Sequence, residues 1–377
     1  MIIAALNESS LHEKRVAITP NAVKHYLKLG LQVVLEKNAG LASGFSDASH
    51  EDAGATIEES QNSLLQKAKI VAYVNEPTPS MIKGLKPHTL IVAPIDNMQE
   101  SELLSTCCQE KISAFSMNLI PRISRAQSMD SLSSQANLAG YRAVLEGVHH
   151  YHRAIPMMMT AAGMIHPAKI LILGAGVAGL QAIATAKRLG AVVYAFDVRS
   201  AAKEQVESLG AEFIEVVSEE NNETTSGYAS ETSEEYQQLQ ADLIDQYAKQ
   251  CDIVITTALI PGKKAPILVK ADTVRQMKPG SVIVDLATSR GGNCELSQRD
   301  KVVREGEVTL IGYSNFAGLV PATASELYAN NVVHLLNLLI TPSSELAFNR
   351  EDEIIKQAVL CHEGAYLPFQ IAKETQK

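Results

Sequence analysis

Between Lys169 and Arg199 the chain reads KILILGAGVAGLQAIATAKRLGAVVYAFDVR. Ile170 to Leu173 is a short apolar run of the kind a buried parallel strand shows. Gly174-Ala175-Gly176-Val177-Ala178-Gly179 follows at once, with G-x-G-x-x-G spacing. Leu180 to Leu189 is rich in Ala and Leu and suits a helix packed on a sheet. Ala191 to Phe196 is a second apolar strand, and Asp197 stands at its end. Strand, glycine turn, helix, strand and acid in this order restrict the segment to a βαβ unit. They restrict the surrounding fold to a parallel sheet with helices on its faces.

Each part has a mechanical use. Gly174 allows the tight turn, Gly176 lets backbone approach a pyrophosphate, and Gly179 lets the helix sit close to the strand. The helix N-terminus, opening at Val177, offers unpaired N–H groups and a partial positive charge to phosphates. Asp197 is placed to accept hydrogen bonds from adenosine ribose hydroxyls and to repel a 2′-phosphate. The unit therefore predicts NAD(H) rather than NADP(H), a preference softened by Arg199 two residues on. The structural alternative is the same turn with no cofactor.

A chain of 377 residues is long enough for two domains. Its 20% charged and 46% apolar residues are a globular balance. A net charge of −9 argues against nucleic acid, which needs a basic footprint. Cys107, Cys108, Cys251, Cys294 and Cys361 form no C-x-x-C pair and no even set, which predicts free thiols in a reducing compartment. MIIAALNESS lacks the basic and apolar regions of a signal peptide. The apolar stretches Ile170 to Ala186 and Val332 to Ile340 both fall short of the roughly 20 residues of a spanning helix, so no direct membrane insertion is expected.

The expected fold class is α/β, with two Rossmann-like domains built on parallel sheets, linked by long helices, with a cleft between them. Residues 1–130 alternate strands (Ile2 to Leu6, Leu31 to Leu35, Ile70 to Val74, Thr89 to Ala93, Ile112 to Ser116) with helices such as Pro20 to Leu29. Met129 to Arg153 has helical apolar spacing and reads as a long linking helix. The glycine unit belongs to a second domain, 131–319, with strands at Ile253 to Thr257, Ser281 to Leu286 and Thr309 to Gly312. A second long helix, Thr323 to Leu339, leads residues 320–377 back to complete the first domain. The polar, acidic stretch Ser218 to Glu235 interrupts the second domain as a loop ahead of a helix from Tyr236 to Lys249. It is either solvated or a lid, with Tyr228 beside Gly227 as its one aromatic residue.

Weaker signals carry structural alternatives. His149 and His152 share a face if helical, but no Cys or carboxylate cluster accompanies them, so no metal site is expected. Met157-Met158-Met159 suits a pocket lining or a gap filler. Adjacent Cys107 and Cys108 read as structural residues on a helix. Arg15, in EKRVAITP, suits either an anion contact or a structural ion pair.

EKRVAITP, GAGVAGLQA, TTALIPGKKAP and VIVDLATSRGGN together resemble the alanine dehydrogenase and pyridine nucleotide transhydrogenase superfamily over nearly the whole chain. Alanine dehydrogenases carry a Lys in a loop similar to VKEP, where this chain has Val74-Asn75-Glu76-Pro77. They carry a catalytic His after the next strand, where this chain has Pro94-Ile95-Asp96-Asn97, and an acid after the strand ending near Asp285, where it has Thr288-Ser289. Oxidising an amino acid needs a general acid/base in reach. Hydride exchange between two nicotinamides needs only rings held together and water kept out.

The segment Pro121-Arg122-Ile123-Ser124-Arg125-Ala126-Gln127-Ser128-Met129-Asp130 resembles the signature loop of the NAD-binding transhydrogenase component. That resemblance implies catalytic roles for Arg122, Gln127 and Asp130. It implies cofactor contacts at Arg122, Ile123, Ser124, Arg125, Gln127, Gly174, Gly176, Val177, Gly179, Asp197, Val198, Arg199, Gly227, Tyr228, Ala258 and Leu259. The structural alternative for the loop is a capped helix start, with Ser128 or Asp130 as the cap. The resemblance further implies a soluble NAD(H)-binding subunit that passes a hydride between NADH and NADP(H) held on a partner component. Its expected partners are membrane-spanning and NADP-binding components and a second copy of itself. The expected location is cytoplasmic, peripheral to the inner membrane through those partners. An alanine-type dehydrogenase is the alternative, and an NAD-sensing module a third.

Overall fold

The computed structural model of the chain describes residues 1–96, 101–216, 234–259 and 263–367. The chain divides into two compact units, Met1–Gln135 with Val320–Lys377, and Ala136–Leu319.

The first unit holds an eight-stranded sheet. From edge to edge its order is Ala365–Tyr366, Val359–His362, Ser113–Ser116, Leu90–Ala93, Ile70–Ala72, Ile2–Ala5, Gln32–Glu36 and Thr56–Glu58. The six strands from the N-terminal portion of the chain run parallel. Val359–His362 joins them antiparallel and pairs antiparallel with Ala365–Tyr366. Glu363 and Gly364, between those two strands, have φ of 50° and 86°, the positive values a two-residue primed hairpin turn requires.

Side-chain alternation sets the layers. Ile3, Ala5, Val33, Leu35, Ile70, Ala72, Leu90, Val92 and Phe115 point into one core. Ala4, Val71, Ile91, Ala93 and Ala114 point into the other. Both faces are apolar because helices cover both, the condition for a parallel sheet.

The second unit repeats this plan with seven strands in the order Glu212–Phe213, Val192–Phe196, Lys169–Leu173, Ile253–Thr256, Val282–Asp285, Val308–Ile311 and Val302–Glu305. All run parallel except Val302–Glu305, which closes a hairpin with Val308–Ile311. Ile170, Ile172, Ile253, Ile255, Val282 and Val284 face one core, and Leu171, Leu173, Val254 and Ile283 the other.

The expected strands all form, most of them a residue or so shorter at an end. The first long helix spans Ser131–His150 and the second Pro321–Leu339, with Pro321 at its first turn. The helix Glu234–Gln250 begins ahead of the expected Tyr236. Sequence reading missed the strands Thr56–Glu58, Glu212–Phe213, Val302–Glu305, Val359–His362 and Ala365–Tyr366 and the hairpin Met158–Thr160 with Gly163–Ile165. Each is only two to four residues long, too short to carry a periodic or continuous apolar signal of its own. Among the described residues no helix is long and apolar enough to cross a membrane.

Candidate functional site

In the seven-stranded sheet the chain moves outward from Lys169–Leu173 through Val192–Phe196 to Glu212–Phe213, then resumes on the other side at Ile253–Thr256. The order reverses between Lys169–Leu173 and Ile253–Thr256. Ligands of open α/β sheets bind at such a reversal, beyond the C-terminal ends of the strands.

Three glycines sit there for three different reasons. Gly174 has φ 102°, and a Cβ on it would lie 2.6 Å from Thr257 Oγ1. Gly179 opens the helix Val177–Arg188 so tightly against the turn that a Cβ would lie 1.8 Å from the Gly174 carbonyl oxygen. Gly176, the helix N-cap at φ −76°, would project a Cβ into space with nothing within 4 Å. Backbone demands Gly at 174, packing demands it at 179, and neither demands it at 176. What Gly176 keeps clear is the approach to the helix N-terminus, the cradle a pyrophosphate needs. The same helix is held from its other side by Gly140, where a Cβ would lie 2.0 Å from the Ala178 carbonyl oxygen.

Asp197 follows Val192–Phe196 and is almost filled as an acceptor. Its Oδ1 accepts from the backbone N–H and Nε of Arg199, both at 2.9 Å. Its Oδ2 accepts from the Ala175 N–H at 2.7 Å and Arg199 Nη2 at 2.9 Å. Two carboxylate oxygens offer about four lone-pair sites, so a ribose hydroxyl reaches this group only by displacing a donor. The guanidinium of Arg199, its side chain 22% exposed, is the donor best placed to exchange, because the backbone N–H groups are fixed by the turn. Val198 is half-buried between them and packs on the sheet's second core.

Across the reversal, Thr257 donates to the Gly174 carbonyl at 3.0 Å, tying the next loop to the glycine turn. Ala258 and Leu259 follow. The side chains of Leu259 and Val177 are exposed apolar groups, 46% and 39%. Sequence reading did not identify what holds this loop. Asn293, fully buried, accepts from the Ala258 N–H at 3.0 Å and donates through Nδ2 to the Ala258 and Pro266 carbonyls at 2.9 and 2.8 Å. The Asp285 carboxylate, also fully buried, accepts from Thr256 Oγ1 and from the N–H groups of Ala287, Asn293 and Cys294. The signal was present in VIVDLATSRGGN, because an Asp inside an apolar strand needs several donors to remain buried.

In the first unit, residues Ser124–Met129 form a short tight helix turn ahead of the helix Ser131–His150. Arg122, Ser124 and Gln127 are exposed, Ile123 is half-buried and Ala126 is buried. Asp130 accepts from the Ser133 N–H at 2.9 Å and its hydroxyl at 2.5 Å, which caps the long helix. Of the two residues named as the cap, Asp130 serves and Ser128 does not. Arg125 makes a bidentate pair with Asp352, both bonds 2.8 Å, at the N-cap of the helix Glu353–Ala358.

At the position where dehydrogenases carry Lys, Asn75 donates to Glu8 Oε2 from its N–H at 2.9 Å and from its amide at 3.2 Å. Glu8 Oε1 accepts from the Val74 N–H at 2.8 Å. Burial outweighs these bonds and pushes the Glu8 carboxyl up to about 7. In the neighbouring loop Asp96 accepts from Asn118 at 3.0 Å, and its N–H donates to Glu76. Arg15 resolves as a structural ion pair: Nε and Nη2 meet Glu13 at 2.9 and 2.7 Å, and Nη1 meets Gln135 at 2.9 Å.

Other candidates separate. The helix stops at His150, so the face expected for His149 and His152 does not form. Among the described residues no three His, Cys, Asp or Glu side chains are grouped to hold a metal. Met157, Met158 and Met159 are exposed, contrary to a gap-filling role. Asn97, Gly227, Tyr228 and nearly all of Ser218 to Glu235 lie outside the described residues.

Two family models match the chain: "Alanine dehydrogenase/PNT, N-terminal domain" over residues 4–139 and "Alanine dehydrogenase/PNT, C-terminal domain" over residues 143–368. The chain is 45% identical to an NAD(P) transhydrogenase alpha subunit polypeptide of Rhodospirillum rubrum, across 97% of each. It is similar to the crystal structure of a transhydrogenase from Sinorhizobium meliloti, with TM-score 0.88 and 46% identity over 97% of this chain and 100% of that one. An alanine dehydrogenase of Methanococcus maripaludis is 26% identical over 88% of this chain and 86% of its own length.

Proposed function

Since the chain belongs to the alanine dehydrogenase/PNT family, we propose that it is the NAD(H)-binding subunit of a proton-translocating NAD(P) transhydrogenase. The observation that carries this reading is the engagement of Asn75 with Glu8, at the position where the dehydrogenase branch has its Lys. An amide bound to a carboxylate is no general acid/base.

NADH, when bound, supplies the hydride. The chain's own residues bind and orient it. The Val177–Arg188 helix N-terminus and the clear space at Gly176 receive the pyrophosphate, and Asp197 exchanges Arg199 for the ribose hydroxyls. Arg122 and Gln127 orient the nicotinamide carboxamide and ribose, and Asp130 acts at the contact with the second nucleotide. The NADP(H) belongs to a partner component, and a membrane-spanning component couples transfer to proton movement. Through these partners the subunit is peripheral to the inner membrane on its cytoplasmic side. Gly227 and Tyr228 contact the cofactor, which slowed amide exchange across residues 224–230 on NADH binding tests. The exposed apolar hairpin Met158–Thr160/Gly163–Ile165, with Met159 76% and Met164 49% exposed, supports a homodimer.

Mixing the pure chain with a transhydrogenase NADP-binding component tests the reading. Hydride transfer from NADH to NADP+ is expected only with both present, and none with a competent partner overturns it. A second reading, an alanine-type dehydrogenase, draws on Glu8, whose carboxyl titrates at about 7 and so lies in the range of a general base. Against it, both Glu8 oxygens already accept N–H bonds. Alanine-dependent reduction of NAD+ by the chain alone would establish that reading.

A further inference from the structure

The buried side-chain amide of Asn293 bonds to the backbone of one neighbouring loop. Its amide reads both the N–H and the carbonyl of one residue, Ala258, as a neighbouring strand would, and adds the Pro266 carbonyl. It thereby pins residue 258 and the far end of the same loop to one point. Asn293 is itself anchored, since its backbone N–H donates to Asp285 Oδ2 at 2.9 Å, and Asp285 closes on Thr256 Oγ1 at 3.1 Å. The circuit returns to the glycine turn through Thr257 and the Gly174 carbonyl at 3.0 Å. The glycine turn, residues Thr257, Ala258 and Pro266, and the 285–294 loop thus form one hydrogen-bonded frame. These contacts run between amide, hydroxyl, carboxylate and backbone groups with no cation among them, so position rather than charge is what the frame secures.

The frame stands on one particular side of the site. Asp197 follows Val192–Phe196, on one flank of Lys169–Leu173, while Ala258 follows Ile253–Thr256 on the other. A dinucleotide laid across the reversal with its adenosine at Asp197 and its pyrophosphate at the glycine turn places its nicotinamide half beyond Ile253–Thr256.

We propose that Asn293, anchored by Asp285, is a positioning residue for hydride transfer: it sets Ala258 and Leu259 against the nicotinamide half of the cofactor and leaves the adenosine half untouched. The proposal rests on the NAD(H) reading above. A hydride donor must sit within a fraction of an ångström of its productive place, so a loosened loop costs rate as well as affinity.

The test compares Asn293→Ala with the unmutated chain by isothermal titration with AMP and with NADH, and by transfer rate at saturating NADH with the NADP-binding component. The expected result is an NADH affinity at least tenfold weaker, AMP affinity within twofold, and a reduced rate at saturation. A general loss of fold weakens AMP and NADH alike, and that outcome overturns the proposal, as does unchanged binding of both. If Asn293→Ala does not fold, Asn293→Ser, which retains one hydroxyl donor, is read by the same AMP-to-NADH comparison. Failure of the unmutated chain to bind NADH is a separate result and removes the functional reading itself.

Discussion

Replacing Gly176 and Gly179 one at a time separates what the fold needs from what the cofactor needs. A Cβ at Gly179 would lie 1.8 Å from the Gly174 carbonyl oxygen and 2.8 Å from its carbon. Both atoms are backbone, so no side chain can rotate away, and the helix Val177–Arg188 must retreat by roughly 1 Å from a close-packed neighbour. Overpacking of this kind costs about 1–3 kcal/mol. In a unit of this size each kcal/mol lowers the melting temperature by roughly 2–4 °C. The same retreat carries the helix N-terminus away from the phosphates, and NADH affinity should fall at least tenfold, ~1.4 kcal/mol.

Gly176→Ala meets nothing within 4 Å and keeps an ordinary φ of −76°. The loss of a favourable N-cap and the gain from a stiffer unfolded chain are each ~0.5–1 kcal/mol and nearly cancel. Its melting temperature should stay within about 2 °C, yet its methyl occupies the space reserved for the pyrophosphate, so NADH binding should weaken at least tenfold. Thermal unfolding by circular dichroism and NADH titration measure both variants. Native NADH affinity in Gly176→Ala would refute the assignment of that space, and an unshifted melting temperature in Gly179→Ala would refute the packing argument.

Asp197→Ala should weaken NADH binding and narrow the preference over NADPH, because it removes the repulsive carboxylate and leaves Arg199 to meet a 2′-phosphate; equal affinities in the unmutated chain would contradict this. Gln127→Asn and Asp130→Asn should leave NADH affinity within about tenfold, or ~1.4 kcal/mol, and reduce transfer to partner-bound NADP by a larger factor. Asp130→Asn weakens the cap on Ser133 as well, so thermal unfolding must accompany its kinetics. Glu8 has a folded pKa of about 7, above its ordinary value of 4.5, so the native state holds the extra proton between those values. Its stabilising contribution is complete below about 4.5 and is lost as pH rises through 7. Glu8→Gln should therefore gain melting temperature relative to the unmutated chain between pH 5 and 8; a pH-independent difference would remove Glu8 as the titrating group. Met159→Asp, in the exposed hairpin, should shift a dimer toward monomer by light scattering, and an unaltered mass would exclude the hairpin from the interface.

Most of the chemistry at the glycine turn was legible because it is local. Gly174, Gly176 and Gly179, the helix they open and Asp197 all lie in one βαβ unit, and the same backbone geometry that folds the unit makes the phosphate cradle. Likewise short continuous apolar runs, the pattern of strands covered on both faces, marked the two sheets. Three things were not legible. The pairing of Asp197 with Arg199 was hidden because i,i+2 residues meet only where the strand end turns. Arg15 carried two readings, and its partners Glu13 and Gln135 made it a structural ion pair; which of Ser128 and Asp130 caps the long helix was decided by the bond from the Ser133 N–H to Asp130.

The sequence by itself determined a doubly wound fold and a dinucleotide-type turn, since periodicity and glycine spacing act through neighbouring residues. Only the tertiary structure decided which strands flank the reversal, that Asn75 is held by Glu8, and that Asn293 holds Ala258. The last contact spans 35 residues of chain. No local pattern encodes it, because a buried amide finds its partners only after two strands have paired and excluded the water that would otherwise satisfy it.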